Sequence, residues 1–241
     1  MRQTALRLGS SGPFVRDLQL ALNNRLNPSP NLKITGIYDT ASGRAVRAFQ
    51  IANWLEPDGC AGPCTLDVLY SLEKTGPILH SVSHVAQTPV TPAWAAAFAM
   101  LTHRSVSAIL AAVPSNMVEA DKSLRVKADP ISQHLYRLDL GRRIGLNCHS
   151  ARNWLAPDLI GLLRKGPLVI ECPQMQVGRA NSTGSACYLV VAGARGSHSA
   201  DGSSTTLKIF DPASTDEPIR SRSYLSLLSP FNRMPFAIFN N

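Results

Sequence analysis

The residues that bear most directly on chemistry lie in two stretches of the chain. In QTPVTPAWAAAFAM, residues 87–100, Thr91 is a fair N-cap and Pro92 a good first helical residue, so the sequence predicts a helix starting there and running toward Leu101. Ala93 falls in its first turn, where backbone N–H groups and the positive end of the helix dipole would stabilise a thiolate if the residue were cysteine. It is alanine, and a methyl group cannot attack a carbonyl. Gln87, upstream in the same stretch, carries an amide of the kind that can stabilise an oxyanion. In the second stretch, CYLVVAGARG, a turn and then LKIFDP, Cys187 heads an apolar run and Asp211 is followed by Pro212.

Other reactive side chains read as structural. His80 and His84 have the spacing of a helical metal pair, but their segment has no helical period and no acidic or thiol partner nearby, so they are expected to pack or face solvent. Cys148 and His149 are adjacent, and neighbouring side chains diverge on strand or helix, which argues against a dyad. His198 sits in the turn GSHSADGSS, a poor place to hold a general base. Cys60 and Cys64 flank the turn in GCAGPC, either as a small-loop disulfide or as two thiols. No metal or other cofactor is expected.

Composition limits the setting. A chain of 241 residues that is 44% hydrophobic can fold as one large or two small domains. No apolar run approaches the roughly 18 residues of a membrane span. The start MRQTALRLGSSG lacks the apolar centre of a secretory signal, so either a cytoplasmic protein or export without a cleaved leader is expected. A net charge of +8 favours anionic surroundings such as cell-wall polymer, acidic lipid or nucleic acid. The charges are scattered and no nucleic-acid motif is present, which makes nucleic acid the least favoured of the three.

Residues 1–73 read as a small helical domain. Val15, Leu18, Leu22 and Leu26 recur at helical spacing, and a second helix is expected from about Thr40 to Ala52 with Ala45, Val46 and Phe49 inward. Thr65 is expected to cap a third, through Leu69 and Leu72. The order of glycines, apolar positions and turns resembles the peptidoglycan-binding domain found beside cell-wall hydrolases. The shared pattern is Leu8, Gly9, Gly12, Val15, Leu18 and Gln19, then Gly36, Tyr38 and Asp39, then Ala45, Val46, Phe49 and Gln50, and last Asp58, Gly59, Gly62 and Thr65. The resemblance implies binding to peptidoglycan, for which Tyr38, Asp39, Trp54 and Asp58 are the candidate contacts at the turns.

Residues 74–86 read as a linker that becomes the entry strand of a second domain, 87–241. There, a further helix is expected in SVSAILAAV and a short one from about Asp158 to Arg164. LGRRIGLNCHSARNW is ambiguous, and strands are expected around 168–172, 187–192 and 206–210 and in RMPFAIF. Helices first and an antiparallel sheet after give an α+β class. The run with Gln87, Ala93 and Trp94, the strand after Gly166 and the D-P at Asp211 resemble papain-like bacterial cysteine peptidases. The resemblance puts Ala93 at the nucleophile position, Cys187 at the histidine position, Asp211 at the third catalytic position and Gln87 at the oxyanion position. It implies a papain-like pseudoenzyme: a peptidoglycan-binding bacterial effector or toxin, of the kind carried by type VI secretion to the periplasm or envelope of a target cell. Its cleft would take a target or immunity protein. The alternative is an active cysteine peptidase or amidase in which position 93 was changed from Cys to Ala for study.

Overall fold

The computed structural model describes residues 5–73, 76–127, 129–172, 187–228 and 235–241. Three helices come first: α1 (Pro13–Arg25), α2 (Thr40–Ala52) and α3 (Pro63–Leu69). They close over Val15, Leu18, Leu22, Tyr38, Val46, Phe49 and Leu66, all buried. Proline at the first position starts α1 and α3, and Asp39 caps α2 by accepting from the Ser42 N–H. Thr65 does not cap α3; that helix starts earlier, at Pro63, and the Thr65 hydroxyl points inward.

Two buried amides hold this unit in register. Gln19 Nε2 donates to the Ile37 carbonyl at 3.0 Å and the Ser42 hydroxyl at 3.0 Å, and its Oε1 accepts from Gly36 N–H at 3.0 Å. Gln50 repeats the device one helix later: Nε2 faces the Asp58 carboxylate at 2.7 Å, the Cys60 carbonyl at 2.9 Å and the Thr65 hydroxyl at 3.1 Å. Its Oε1 accepts from Gly59 N–H at 2.9 Å. Gly36 and Gly59 both sit at positive φ, +74° and +73°, which only a residue without Cβ adopts freely. Each glutamine thus clamps the tight turn that its glycine makes possible.

The second part is α+β. Strand β1 (Ile78–Leu79) is followed by α4 (Ala93–Thr102), α5 (Val106–Ala112), a 3₁₀ turn (Ser115–Met117), α6 (Pro130–Ile144), β2 (Asn147–Arg152) and α7 (Ala156–Leu163). Then come β3 (Leu168–Cys172), β4 (Cys187–Gly196), β5 (Thr205–Phe210), β6 (Ile219–Ser223), α8 (Tyr224–Leu228) and β7 (Phe236–Asn240). The strands form one antiparallel sheet in the order β2-β7-β3-β4-β5-β6, with β1 on β4. The ambiguous stretch holds the end of a helix and a strand: α6 ends at Gly145 in the left-handed conformation, and β2 follows. Strand β6 and most of α6 went unforeseen, whereas β7 lies where RMPFAIF predicted it; Arg233 and Met234 of that run are outside the described residues.

Each sheet face has its own core. On one, Val169, Tyr188, Val190, Ala192 and Phe239 pack under α4 and α6. Phe98 stands at its centre, with edge contacts to Trp94 (6.4 Å), Tyr188 (5.9 Å) and Phe239 (5.0 Å). On the other, Leu168, Ile170, Cys172, Leu189, Val191 and Ile238 pack under α7 and α8. No single helix among the described residues is long and apolar enough to cross a membrane.

Gln50→Leu keeps the volume but leaves the Gly59 N–H, the Cys60 carbonyl and the Thr65 hydroxyl without their partner. We expect a loss of about 2–3 kcal/mol of stability, read as a lower urea midpoint in far-UV circular dichroism with little change in slope; an unchanged midpoint would remove the clamp role.

Candidate functional site

Helix α4 starts at Ala93, with no side-chain cap and no acidic residue in its first turn, so its positive end is open at that position. The approach is a tight turn in which Thr88 and Thr91 exchange backbone hydrogen bonds. Just before it, Gln87 N–H donates to the Pro212 carbonyl at 2.7 Å, while the Gln87 side chain is exposed. Gln87 therefore lies beside the turn that carries Asp211. His84 is drawn to the same turn, its Nε2 lying 3.3 Å from the Asp211 carbonyl, and His80 Nε2 meets the Leu163 carbonyl at 2.6 Å. Both histidines pack against backbone carbonyls; among the described residues no group of three or more His, Cys, Asp or Glu is arranged to hold a metal ion.

Cys187 takes a different direction from Ala93. Alternation along β4 sends Tyr188, Val190 and Ala192 to the α4 face, and Leu189 and Val191 to the α7 face. Cys187 shares the parity of Leu189, and its direct partner across β3 is Cys172, a member of the α7-side core. The sheet thus separates Cys187 from the helix that begins at Ala93. Asp211 is engaged as well: Oδ1 accepts from Ala213 N–H at 3.0 Å and Oδ2 from Arg220 at 2.7 Å, with the carboxylate only 12% exposed. Positions 87 and 211 come together, and positions 93 and 187 do not.

On the α4 face the residue at the head of β4 is Tyr188, opposite Glu171 on β3. Glu171 is 6% exposed and paired in a two-pronged bond to Arg137 of α6, at 2.9 and 2.8 Å. Burial and the Glu171 charge push Tyr188 well above the ordinary phenol range and Cys148 up to about 12, so both stay protonated. That face offers donors and apolar surface. Among the described residues it presents no thiolate, and its carboxylate is already neutralised.

A second candidate lies where the helical unit meets the sheet. A cavity of about 430 Å³ is walled by Arg25, Phe49, Asn53 and Val68 from the helices and by Glu73 and Arg195. Arg195, on β4, donates to both Glu73 oxygens at 3.2–3.3 Å and to the Asn53 carbonyl at 2.9 Å. Arg25 donates to the Leu69 carbonyl and to the Ser71 hydroxyl. Two guanidinium groups and one carboxylate over apolar Phe49 and Val68 suit a small ligand bearing a carboxylate and short aliphatic groups.

The four turn residues expected to contact a polymer mostly hold the fold. Tyr38 is 1% exposed and donates its hydroxyl hydrogen to the Gly59 carbonyl. Asp39 caps α2, and Asp58 accepts from Gln50 and from Cys60 N–H. Trp54 lies at the junction, its ring centre 5.9 Å from the Arg195 guanidinium carbon. Cys60 and Cys64 are two thiols, and Cys64 is committed elsewhere: the Thr206 hydroxyl donates to it across the junction at 3.3 Å. Neither Arg195 nor Glu73 was singled out in the sequence, because nothing local marks an ion pair whose members lie so far apart in the chain.

Residues 11–69 match the family model described as "Putative peptidoglycan binding domain". A stretch of 65 residues, 27% of the chain, is 40% identical to a zinc D-Ala-D-Ala carboxypeptidase of Streptomyces albus G. The chain spans about a quarter of that relative's length, 26%. It is also similar to the crystal structure of a Burkholderia AP3 phage endolysin, at 29% identity over 50% of this chain and 40% of that one, with a TM-score of 0.27. The family match thus covers the helical unit and does not reach the sheet domain.

His198, in the β4–β5 turn, is half-buried at φ 52°, with Nδ1 near the Thr205 hydroxyl at 3.4 Å and Nε2 buried without a hydrogen-bond partner. Burial, then the charge of Arg164, hold its pKa below the ordinary 6.5, with Glu73 opposing. The unfolded chain therefore takes up this proton first as pH falls, and stability present above 6.5 declines below it. We expect the thermal midpoint to drop between pH 8 and pH 5.5, and to drop less in His198→Asn, a residue that tolerates the same left-handed backbone. Equal drops in both proteins would assign the effect elsewhere.

Proposed function

We propose that this is a cell-wall-binding protein of the bacterial effector or toxin type, acting at the envelope of a target cell. Its helical unit engages peptidoglycan, and its sheet domain, papain-like in the order of its elements, works by binding a protein partner rather than by cleavage. The family match over residues 11–69 carries the first half of this reading. The second half is supported by the methyl group at position 93, the orientation of Cys187 away from α4 and the clamped Asp211. From residue 74 onward there are 17 Lys and Arg against 10 Asp and Glu, so most of the positive charge falls on the sheet domain and favours an acidic partner surface.

Within the helical unit's share of the work, the junction cavity suits the peptide stem of the polymer. Arg25, whose partners are neutral oxygens, would meet a stem carboxylate, and Phe49 and Val68 the methyl groups of alanine residues. Purified sacculi should pull the full-length protein out of solution. Arg25→Glu should weaken that retention about tenfold, and a free stem tetrapeptide should compete for it. Failure to cosediment with sacculi would remove the peptidoglycan reading.

The open, uncapped start of α4 favours a second reading, an active peptidase or amidase in which alanine stands where a nucleophilic cysteine belongs. Ala93→Cys decides between them. On the binding reading the variant stays inactive toward peptide, isopeptide and cell-wall substrates, because among the described residues the histidine position, Cys187, is turned away from α4; turnover by it would establish the enzyme.

A further inference from the structure

Five cysteines are present, and all are thiols in this structure. Cys64 is held at the junction against Thr206, Cys148 lies under α6, and Cys60 stands at a turn beside Asp58. The remaining two face each other: Cys172 ends β3, Cys187 begins β4, and they are direct partners in the antiparallel ladder. Opposed residues of an antiparallel pair point to the same face with Cα atoms about 4.5–5.5 Å apart, inside the span a disulfide bridges. The pair is also asymmetric, since Cys172 is fully buried in the α7-side core and Cys187 is exposed.

We propose that Cys172 and Cys187 form a cross-strand disulfide when the protein meets an oxidising compartment, through exchange with a small-molecule or protein disulfide. The exposed Cys187 gives up its proton to solvent, and the thiolate attacks one sulfur of the donor disulfide, R–S–S–R. One R–S⁻ leaves with the electron pair of the broken bond and picks up a proton as R–SH. Cys172 then loses its proton and attacks the Cys187 sulfur of the mixed disulfide, expelling the second R–S⁻. Two protein thiols are oxidised and one disulfide is reduced to two thiols. Burial holds the Cys172 thiol protonated in the resting protein, which makes Cys187 the point of entry and Cys172 the resolving partner. The bond welds β3 to β4 at the end of their ladder and closes the chain between them into a ring, so the sheet gains stability only after the protein has left a reducing cytosol.

This inference stands on strand register and not on the cell-wall reading, so sacculus binding and disulfide formation can fail separately. The experiment treats the native full-length protein with oxidised and reduced glutathione at an oxidising ratio, blocks free thiols with an alkylating agent, and digests with trypsin. Cleavage after Arg179 leaves the two cysteines on separate peptides, 166–179 and 180–195, so their bond appears as a linked mass that separates on reduction. The oxidised protein should melt higher by about 5 °C. Cys187→Ser, at an exposed position that the fold does not need, should abolish both the linked mass and the shift, as should Cys172→Ala. Alkylation of both residues under oxidising conditions, a linkage to Cys60, Cys64 or Cys148 instead, or an oxidised form that melts lower would each overturn the proposal.

Discussion

The contact between Arg195 and Glu73 fixes how the two parts of this protein face each other. Both side chains are largely covered, at 16% and 13% exposure, and the Glu73 carboxylate also accepts from Gly196 N–H at 3.0 Å. A buried ion pair contributes little by comparison with an apolar replacement, but it is severe about partners: losing one member strands the other charge, at a cost of roughly 3–5 kcal/mol. The helical unit therefore has few alternative seats. Subsidiary contacts agree with the same seat, among them Ser197 donating to Asp67 and Glu56 accepting from Ser223 N–H and the Ser226 hydroxyl. A chain whose two parts resembled beads on a flexible string would have none of these.

That fixed seat turns β4 into the organising strand of the molecule. It runs ten residues from Cys187 to Gly196 and pairs with β1, β3 and β5 along its length. Its far end carries Arg195 into the junction, and its near end carries Cys187 and Tyr188 to opposite faces of the sheet. A strand has only two faces, so placing Tyr188 under Phe98 sends Cys187 to the other side. No rotamer of Cys187 can undo this. The geometry that packs the apolar core is the same geometry that keeps a thiol away from the open end of α4.

Much of the architecture was legible in the residues themselves. The helices of the first unit announced their register through leucine spacing, and α2 falls on its expected bounds because Asp39 is a good cap and Asn53 ends the run. Strands β3 and β5 were visible as β-branched runs between glycine and serine turns. Strand β6, IRSRS, was not, since it is an edge strand paired, among the described residues, only with β5, none of its residues is buried and its sequence is charged. The site was less legible than the fold. Tyr38, Asp39 and Asp58 have types that bind ligands elsewhere, and only their hydrogen bonds to Gly59, Ser42 and Gln50 reveal that the fold itself uses them. Spacing along the chain identified position 187 correctly as the head of a strand but said nothing about which face it takes, because a single residue of register decides that.

A protein built this way has a consistent physical logic for binding. Polymer recognition by a small module is weak where a few hydrogen bonds and one apolar wall must offset the ordering of a flexible sugar-peptide chain. Joining the module rigidly to a second binding surface converts the second encounter into an intramolecular one, at an effective concentration set by the fixed geometry and not by diffusion. A flexible linker would spread the second surface over a large volume; the Glu73–Arg195 seat removes that spread. Catalysis would ask for something different at α4, a nucleophile and base poised within hydrogen-bond reach of each other. The described residues around α4 supply a filled aromatic core, a carboxylate neutralised by Arg137 and a protonated Tyr188, an arrangement that holds the sheet face in shape.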